Sequence, residues 1–340
     1  MAELTLEGVR RQHGDTRVVD DLDLAIPAGA FVALLGPSGC GKTTTLRMIA
    51  GFDPVDAGEI RLGARVLSDA RGQVPPENRG MGMVFQSYAL WPHMSVAENV
   101  GYALRLRGIR GAAYASRVRE ALEWVQLAER GDAMPQDLSG GQRQRVALAR
   151  CLVGEPEVVL LDEPLANLDR HLRASMEHTF REFHRRTGAT FVYVTHDQEE
   201  AMALADRVAV MQRGRLVQWA TPETLYRCPR TDWLAGFIGQ GSVLEAAGAL
   251  AGQVDGAALM AALAHDAGLR SPVLVRPEHV QVAERGIAGE VRDCVFRGER
   301  YEVTMHLADG QLLLAYHSVA LTAGQRVCAQ ISHGWGLERS

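Results

Sequence analysis

One segment of the chain has the glycine spacing of a phosphate-binding loop. Residues 36–43 read Gly-Pro-Ser-Gly-Cys-Gly-Lys-Thr and fit the pattern G-x-x-x-x-G-K-[ST], between an apolar run and a helical run. The glycines let backbone N–H groups turn inward around phosphate oxygens, and the following helix adds its positive end. Lys42 would reach the β- and γ-phosphates, and the Thr43 hydroxyl would ligate Mg²⁺. A glycine-rich turn without a ligand is disfavoured because every fixed position and both flanks are in place. The predicted nucleotide contacts are Gly36, Pro37, Ser38, Gly39, Cys40, Gly41, Lys42, Thr43 and Thr44.

Two acidic residues follow a second apolar run. Residues 158–161 are Val-Val-Leu-Leu, and Asp162 and Glu163 come directly after them. A carboxylate at the end of a buried strand can hold Mg²⁺ through its water shell, and a neighbour that points differently can orient or deprotonate the attacking water. Adjacent acids after a strand are commonplace. Downstream of a phosphate loop, however, the pair predicts a metal ligand at Asp162 and a general base at Glu163.

Between these two motifs lies another helix start with anion-binding character. Residues 138–142 read Leu-Ser-Gly-Gly-Gln. Ser139 is a natural N-cap, and Gly140 and Gly141 leave the first amides of the following helix exposed. One nucleotide does not need two cradles at separate places, so this surface is expected to meet the γ-phosphate of a nucleotide held by another copy. A capped helix without a ligand is the alternative, and for the motif in isolation it is the preferred one.

The elements that position these motifs alternate between strand and helix. Apolar runs bounded by glycine, separated by longer helical patterns, predict an α/β domain with parallel strands. A helix over residues 43–50 should end at Gly51. From about Gly236 the chain changes to a loose glycine-rich stretch and then to short strand-like pieces, which predict a small, largely β second domain. The predicted strands are residues 30–35, 158–161, 191–194, the hairpin 208–211 and 216–219, and, in the second domain, 273–275, 290–296, 301–307 and 311–315.

Composition excludes several classes of protein. A net charge of −5 with mixed signs gives no basic surface for nucleic acid. No run reaches eighteen uninterrupted apolar residues, so a role at a membrane requires a partner. The cysteines are scattered without a C-x-x-C pair, which argues against a zinc site or a disulfide framework and fits a reducing cytosol. They are Cys40, Cys151, Cys228, Cys294 and Cys328.

Together the motifs resemble the nucleotide-binding subunits of ABC transporters. Residues 36–43 resemble the Walker A loop, 138–142 the LSGGQ signature and 158–163 Walker B, in the order of that family. Gln86 resembles the Q-loop glutamine, and His196 resembles the switch histidine; residues 165–169 resemble the D-loop. The resemblance implies a P-loop NTPase cassette over residues 1–238, with a RecA-like core, an antiparallel β subdomain and a helical signature subdomain.

The resemblance also implies an arrangement and a set of roles. In this family two cassettes face head to tail, with ATP and Mg²⁺ between the Walker A loop of one and the signature of the other, so this chain would form a homodimer. His13 aligns with the place where the family stacks an aromatic side chain on adenine, although an imidazole offers less surface. Implied catalytic residues are Glu163, His196 and Gln86; implied metal ligands are Thr43, Gln86 and Asp162; further nucleotide contacts are Ser139, Gly140, Gly141, Gln142 and Asp169.

Cys40 lies inside the phosphate loop near a helix N-terminus. That environment is one that lowers the pKa of a thiol. A role as a catalytic nucleophile is nevertheless rejected, because phosphoryl transfer at such a site needs positioning and charge rather than a covalent intermediate. Cysteine at this position also resembles many importer cassettes. The sequence therefore predicts a thiol that lines the nucleotide cradle and reacts with thiol reagents.

Residues 239–340 resemble the OB-like TOBE extension of importer ATPases, chiefly through residues 273–278, Val-Leu-Val-Arg-Pro-Glu. The resemblance implies a subunit held at the cytoplasmic face of the membrane by two permease subunits, with a solute-binding protein on the far side. Asn167 in the D-loop, and the absence of a proline soon after residues 237–239, favour ferric iron as the solute. Polyamine, sugar, sulfate and phosphonate importers are the alternatives.

Two rival classes make different demands on the sequence. A non-transport ABC ATPase of DNA repair or chromosome maintenance would carry a coiled-coil insertion or basic patches, and the sequence has neither. A module that uses ATP as a switch without turnover would not need an intact Glu163 and His196. A measured rate of ATP hydrolysis separates this second rival from an enzyme.

Overall fold

The predicted alternation of strands and helices is present in the computed structural model, which describes residues 2–166, 168–264 and 269–339. Asn167, on which the expectation of ferric iron partly rested, lies outside the described residues. The chain folds into two compact units, residues 1–222 and 223–340. No helix in the described ranges combines the length and the apolar character that a membrane span requires.

The first unit contains two sheets and six complete helices among its described residues. Its strands are β1 (Leu4–His13), β2 (Thr16–Ile26), β3 (Phe31–Leu35), β4 (Ala57–Leu62), β5 (Arg65–Asp69), β6 (Gly72–Gln73), β7 (Met81–Val84), β8 (Val158–Asp162), β9 (Thr190–Thr195), β10 (Arg207–Gln212) and β11 (Arg215–Ala220). Its helices are α1 (Lys42–Ala50), α2 (Val96–Leu106), α3 (Gly111–Trp124), α4 (Gly140–Leu152), α5 (Arg170–Thr187) and α6 (Gln198–Leu204). Helix α7 (Pro222–Arg227) begins at the last residue of this unit.

The central sheet of this unit has the order β11-β10-β3-β9-β8-β7. Strands β10, β3, β9, β8 and β7 run parallel, and β11 closes an antiparallel hairpin with β10. Every residue of β3 and β9 is buried, as expected for parallel strands that are covered on both faces. The prediction of a parallel α/β core is confirmed.

A second, antiparallel sheet has the order β2-β1-β4-β5-β6. Buried side chains of β1 and β2 pack in one core with residues of β3, α1 and β8, because the apolar positions of these strands lie on one face. Helices α2, α3 and α4 form the helical part, and both α2 and α4 begin with a capping box, at Ser95 and Ser139. The three predicted parts of the cassette are therefore present.

The second unit is rich in strands, as predicted. It contains α8 (Asp232–Phe237), α9 (Gly256–Leu263), β12 (Ser242–Ala247), β13 (Gly252–Asp255), β14 (Arg270–Val275), β15 (Val280–Ala283), β16 (Ile287–Phe296), β17 (Tyr301–Leu307), β18 (Leu312–His317), β19 (Arg326–Ile331) and β20 (His333–Gly336). A sheet of order β12-β14-β20-β13 and another of order β15-β19-β16-β17-β18 enclose one apolar core. The stretch expected to be loose from Gly236 is partly helical, since α8 continues to Phe237.

The observed division between the units lies before the boundary of 238 read from the sequence, because α7 and α8 pack with the second unit. Ala235 of α8 is buried against Leu274 and Leu337. The guanidinium of Arg276 donates hydrogen bonds of 3.2 and 2.6 Å to the carbonyl oxygen of Tyr226 and lies 4.1 Å from the centre of its ring. The Tyr226 hydroxyl in turn donates to Glu278 at 2.9 Å. The Arg-Pro-Glu segment thus holds α7.

Candidate functional site

The carboxyl ends of four parallel strands bring the predicted motifs to one edge of the central sheet. The glycine-rich loop follows β3, Gln86 follows β7, the acidic pair closes β8, and His196 follows β9. The register aligns these ends, with Leu35 opposite Thr195 and Asp162 opposite Val194. Ligands of open parallel sheets bind at this edge, so the topology itself assembles the site.

The phosphate loop can be made only with glycine at two of its positions. Gly41 precedes α1 with φ of 102°, and a Cβ there would lie 2.5 Å from the carbonyl oxygen of Val18. A Cβ on Gly36 would lie 2.2 Å from the carbonyl oxygen of Met211. The β1–β2 hairpin and the β10–β11 hairpin therefore press against the loop from outside. The loop's curvature, which turns its amides toward a ligand, is imposed by this packing.

Lys42 and the Mg²⁺-binding candidates meet at the start of α1. Lys42 is only 5% exposed, and its ammonium donates hydrogen bonds of 2.7 and 3.1 Å to the carbonyl oxygens of Gly36 and Pro37. The Thr43 hydroxyl lies 3.3 Å from Oδ1 of Asp162. Burial raises the pKa of Asp162, and the hydrogen bond from Thr43 opposes that rise. A hard cation would relieve the cost of this half-buried charge, so the donor set of hydroxyl and carboxylate fits Mg²⁺.

Glu163 and His196 form the second pair at the same edge. Nδ1 of His196 lies 3.2 Å from Oε2 of Glu163. Glu163 has a left-handed backbone, with φ of 40°, and its N–H donates to the carbonyl oxygen of Val194 at 3.1 Å. Such a conformation costs a non-glycine residue about 1–3 kcal/mol and tends to occur at functional sites. The pairing places a carboxylate and an imidazole side by side, which is suitable for holding a water molecule.

The structure corrects the expectation for Cys40. Its side chain is 4% exposed and packs into the apolar core of the first unit, with Sγ 3.9 Å from the Lys42 ammonium. Burial raises the pKa of the thiol, and the opposing effect of Lys42 is smaller. The expectation of a lowered pKa was wrong because proximity to a helix start does not compensate for removal from water. Cys40 supports the phosphate loop from behind.

The signature motif forms the capped helix start that the sequence predicts. The Ser139 hydroxyl accepts a hydrogen bond from the Gln142 N–H, and the Gln142 side chain accepts one from the Ser139 N–H at 2.8 Å. Ser139 is exposed. A Cβ on Gly140 would have no neighbour within 4 Å, whereas one on Gly141 would meet the side chain of Leu172. The amide-bearing end of α4 therefore faces open space within this chain.

Three further predicted residues occupy separate places. Gln86 is exposed just beyond β7, and His13 is exposed at the end of β1, in the same hairpin that contacts the phosphate loop through Val18. Asp169 caps α5, accepting a hydrogen bond of 2.9 Å from the N–H of Leu172. The structure thus brings together Thr43 with Asp162 and Glu163 with His196, and Gln86 follows β7 at the same edge of the sheet.

The segment beyond Gln86 is held by α4. The guanidinium of Arg150 donates to the carbonyl oxygens of Tyr88 and Ala89 at 2.8 and 2.6 Å. It also lies 4.9 Å from the centre of the Trp91 ring. Tyr88 is 9% exposed, so most of its side chain is covered by the chain itself.

One residue that positions the site has no signal in the sequence. Arg79 is 1% exposed and donates hydrogen bonds of 2.8 and 2.7 Å to the carbonyl oxygens of Met48 and Ile49, at the end of α1. Burial lowers its pKa to about 10. Its guanidinium fills the space beside Gly51, where a Cβ would lie 2.5 Å from its Nε. Because its partners are backbone carbonyls, no residue type marks the contact.

Comparison with known proteins agrees with these motifs. A family model described as ABC transporter matches residues 19–166, and a TOBE domain model matches residues 273–334. The spermidine/putrescine import ATP-binding protein PotA of Pseudomonas aeruginosa is 44% identical over 336 residues, covering 95% of this chain and 89% of that protein. The corresponding protein of Rubrobacter xylanophilus is 44% identical over 342 residues, with the same two coverages.

A relative with a different printed solute shows higher identity over a shorter span. The sn-glycerol-3-phosphate import ATP-binding protein UgpC 1 of Rhizobium johnstonii is 50% identical over 239 residues, covering 70% of this chain and 64% of that protein. The predicted cassette, its TOBE extension and its enzymatic class are confirmed by these matches. The chain therefore belongs to the import ATP-binding subunits of ABC transporters, which are ATPases coupled to transport.

Proposed function

We propose that this subunit hydrolyses ATP at sites shared between two copies of itself and thereby drives import of a polyamine. The observation that carries the shared site is the contrast within one chain. The phosphate loop, the acidic pair and the switch histidine meet at one sheet edge, whereas the signature amides at Gly140 face open space. A second copy placed head to tail would bring its signature to the γ-phosphate.

Each residue of the site then has a role in hydrolysis. The loop amides and Lys42 bind the phosphates, and the carbonyl contacts of Lys42 hold its ammonium beside them. Thr43, Asp162 and Gln86 would hold Mg²⁺, which would supply positive charge beside the phosphates. Glu163 accepts a proton from the attacking water.

The other residues hold the attacking water, contact the γ-phosphate or stack on the adenine. His196, 3.2 Å from Glu163, holds the same water and contacts the γ-phosphate. Ser139, Gly141 and Gln142 of the other copy contact that phosphate from the opposite side, with Asp169 beside it. His13 stacks on the adenine.

The membrane partners follow from the class of protein. An import ATP-binding subunit works with permease subunits, and the described residues contain no helix able to span a bilayer. We infer peripheral attachment to the cytoplasmic face through two permease subunits, with a solute-binding protein acting on the other side. The segment after Gln86, braced by Arg150, would lie beside the permease contact.

The choice of solute rests on the sequence identity of relatives that match nearly the whole chain. Two relatives named for spermidine and putrescine are 44% identical over 95% of this chain, whereas a relative named for sn-glycerol 3-phosphate that covers 98% of this chain is 41% identical. Polyamine is therefore preferred, and sn-glycerol 3-phosphate is the second candidate because another relative with that name is 50% identical over 70% of this chain. The relatives compared give no support to ferric iron.

An uptake assay tests both parts of the proposal. A strain without this gene should lose uptake of radiolabelled spermidine, while uptake of glycerol 3-phosphate and of ferric iron stays at the parental level. The parent gene should restore uptake, and a gene carrying Glu163→Gln should not. If the strain instead loses uptake of glycerol 3-phosphate, that compound is the solute. If it loses uptake of ferric iron, the solute expected from the sequence is correct.

A further inference from the structure

A buried carboxylate lies behind the switch histidine and has no part in the chemistry proposed above. Glu200 of α6 is 3% exposed, and its Oε2 accepts hydrogen bonds from the hydroxyls of Tyr193 and Thr195, at 2.7 and 2.6 Å. Both hydroxyls belong to β9, the strand that ends directly before His196. We propose that Glu200 is a positioning residue that fixes the direction of His196; the inference rests on the proposed role of His196.

The hydroxyl of Thr195 connects the Glu200 carboxylate to the backbone next to His196. It donates its single proton to Glu200 and accepts a hydrogen bond of 2.9 Å from the N–H of Asp197. The carboxylate decides which way the proton points and so leaves a lone pair free for the amide. Thr195 and Asp197, the residues on either side of His196, are thereby both linked to the buried carboxylate of Glu200.

The side chain of Asp197 connects the turn after β9 to helices α5 and α6. Its Oδ1 accepts from the N–H groups of Glu199 and Glu200 at 2.8 and 3.3 Å, which caps α6. Its Oδ2 accepts from Arg173 of α5 at 2.6 Å, and Nε of Arg173 lies 3.6 Å from Oε1 of Glu200. The turn that carries His196 is therefore held between two helices and the last residues of β9.

The imidazole itself has little packing to hold it. The side chain of His196 is 58% exposed, and its ring nitrogen contacts Glu163 at 3.2 Å. For an exposed side chain the direction is set chiefly by the backbone that carries it. A buried carboxylate is costly unless it is fully paired, so removing its partners or the carboxylate itself should loosen the turn. Misplacement by about 1 Å can cost a catalytic group on the order of 10²-fold in rate.

Substitution of Glu200 or of its partner Thr195 should lower the rate of ATP hydrolysis without weakening nucleotide binding. Glu200→Ala and Thr195→Val should each lower kcat by about 10- to 100-fold, with the KM for ATP unchanged within about twofold. Glu199→Gln, an exposed carboxylate one residue away, is the matched control and should match the parent. Glu200→Gln, which keeps an acceptor for the hydroxyls, should restore part of the loss. Parental kcat in both Glu200→Ala and Thr195→Val would overturn the inference.

A double-mutant cycle distinguishes positioning from general damage. If Glu200 acts through His196, then adding Glu200→Ala to His196→Ala should cost no further activity in single-turnover hydrolysis. A loss that multiplies in the double variant would overturn the inference. Should Glu200→Ala fail to fold, Thr195→Val takes its place in the cycle, because valine keeps the shape and removes only the hydroxyl. Parental activity of His196→Ala alone would instead contradict the proposed role of His196.

Discussion

Two helices of the first unit have a glycine at their start, Gly41 just before α1 and Gly140 as the first residue of α4, yet the surroundings of the two glycines differ. At the start of α1, Gly41 is enclosed, and a Cβ there would meet the carbonyl oxygen of Val18 at 2.5 Å. The neighbouring Lys42 is 5% exposed. At the start of α4, Ser139 is exposed and Gly140 has open space where a side chain would be. Residues of the same chain enclose the start of α1 at Gly41, whereas the start of α4 at Gly140 is open.

This difference separates two reasons for a glycine. Gly41 is required by the fold, because its left-handed backbone and its close neighbour exclude any side chain. The fold of this chain alone does not require glycine at position 140. The proposed dimer gives a reason for glycine at this position, because the partner's nucleotide would approach it from outside.

The largest effect is expected for Glu163→Gln, at the enclosed side of the site. The substitution keeps the shape of the side chain and removes the base, so turnover should fall by about 10²- to 10⁴-fold while ATP binding remains. Phosphate release and fluorescent-nucleotide binding measure the two properties. The variant should also accumulate as an ATP-bound dimer in size-exclusion chromatography. Parental turnover would show that Glu163 is not the base.

Mixing two inactive variants tests whether the two cradles belong to one shared site. Lys42→Ala should weaken ATP binding, because it removes the cation beside the phosphates. Ser139→Arg should abolish hydrolysis while a monomer still binds ATP, because the motif serves the other copy. A heterodimer has one site lacking both groups and one site lacking neither, so the mixture should regain activity. A mixture no more active than either variant, with heterodimers shown by tagged pull-down, would contradict the shared site.

A matched pair of glycine substitutions sharpens the same contrast. Gly41→Ala should distort the phosphate loop, lower the Tm and prevent ATP binding. Gly140→Ala should leave the Tm and monomer ATP binding unchanged, since the chain has room for the methyl group. Its hydrolysis should nevertheless fall, because the partner's phosphate approaches this amide closely. Full hydrolysis by Gly140→Ala would show that nothing approaches this position.

Thiol reactivity tests the correction at Cys40. Iodoacetamide should label Cys40 and Cys151 more slowly than the partly exposed Cys228, Cys294 and Cys328, because burial raises the pKa of Cys40 and raises that of Cys151 to about 12. Mass spectrometry of the native protein gives the order of labelling, and unfolded protein, in which all five should react, is the control. Rapid labelling of Cys40 in the native state would restore the accessible thiol expected from the sequence.

The smallest effect concerns the charge of Asp162. Burial raises its pKa, so the folded chain binds the proton more tightly than the unfolded chain and the ionised carboxylate lowers the free energy of unfolding. Without Mg²⁺ and nucleotide, Asp162→Asn should therefore have a slightly higher Tm at neutral pH. The difference should vanish as the pH falls through the folded-state pKa, which lies above the ordinary pKa of an aspartate. A difference in Tm that stays constant at every pH would exclude ionisation of Asp162 as its cause. With excess Mg²⁺, the parent should have the higher Tm.

The predicted strands show where sequence reasoning succeeds. Residues 158–161 and 191–194 were identified from apolar runs alone, and the structure extends them to β8 and β9 by one or two residues. The helix over 43–50 starts one residue earlier and ends at Gly51, whose φ of 87° only glycine adopts readily. Element type follows from local patterns. The division between the units does not, because α7 joins the second unit through Arg276, about 50 positions away.

The sequence by itself determined the chemistry-bearing motifs, their order and the parallel core, since each depends on residue types within a few positions of one another. Tertiary structure decided which of those residues meet and which of them are removed from water. Burial reversed the expectation for Cys40, and the guanidinium of Arg79 reaches α1 from a distant loop. Glu200 lies within the motif at His196, yet only the fold shows that it anchors the turn. Burial and long-range hydrogen bonds depend on the whole chain, and no local pattern records them.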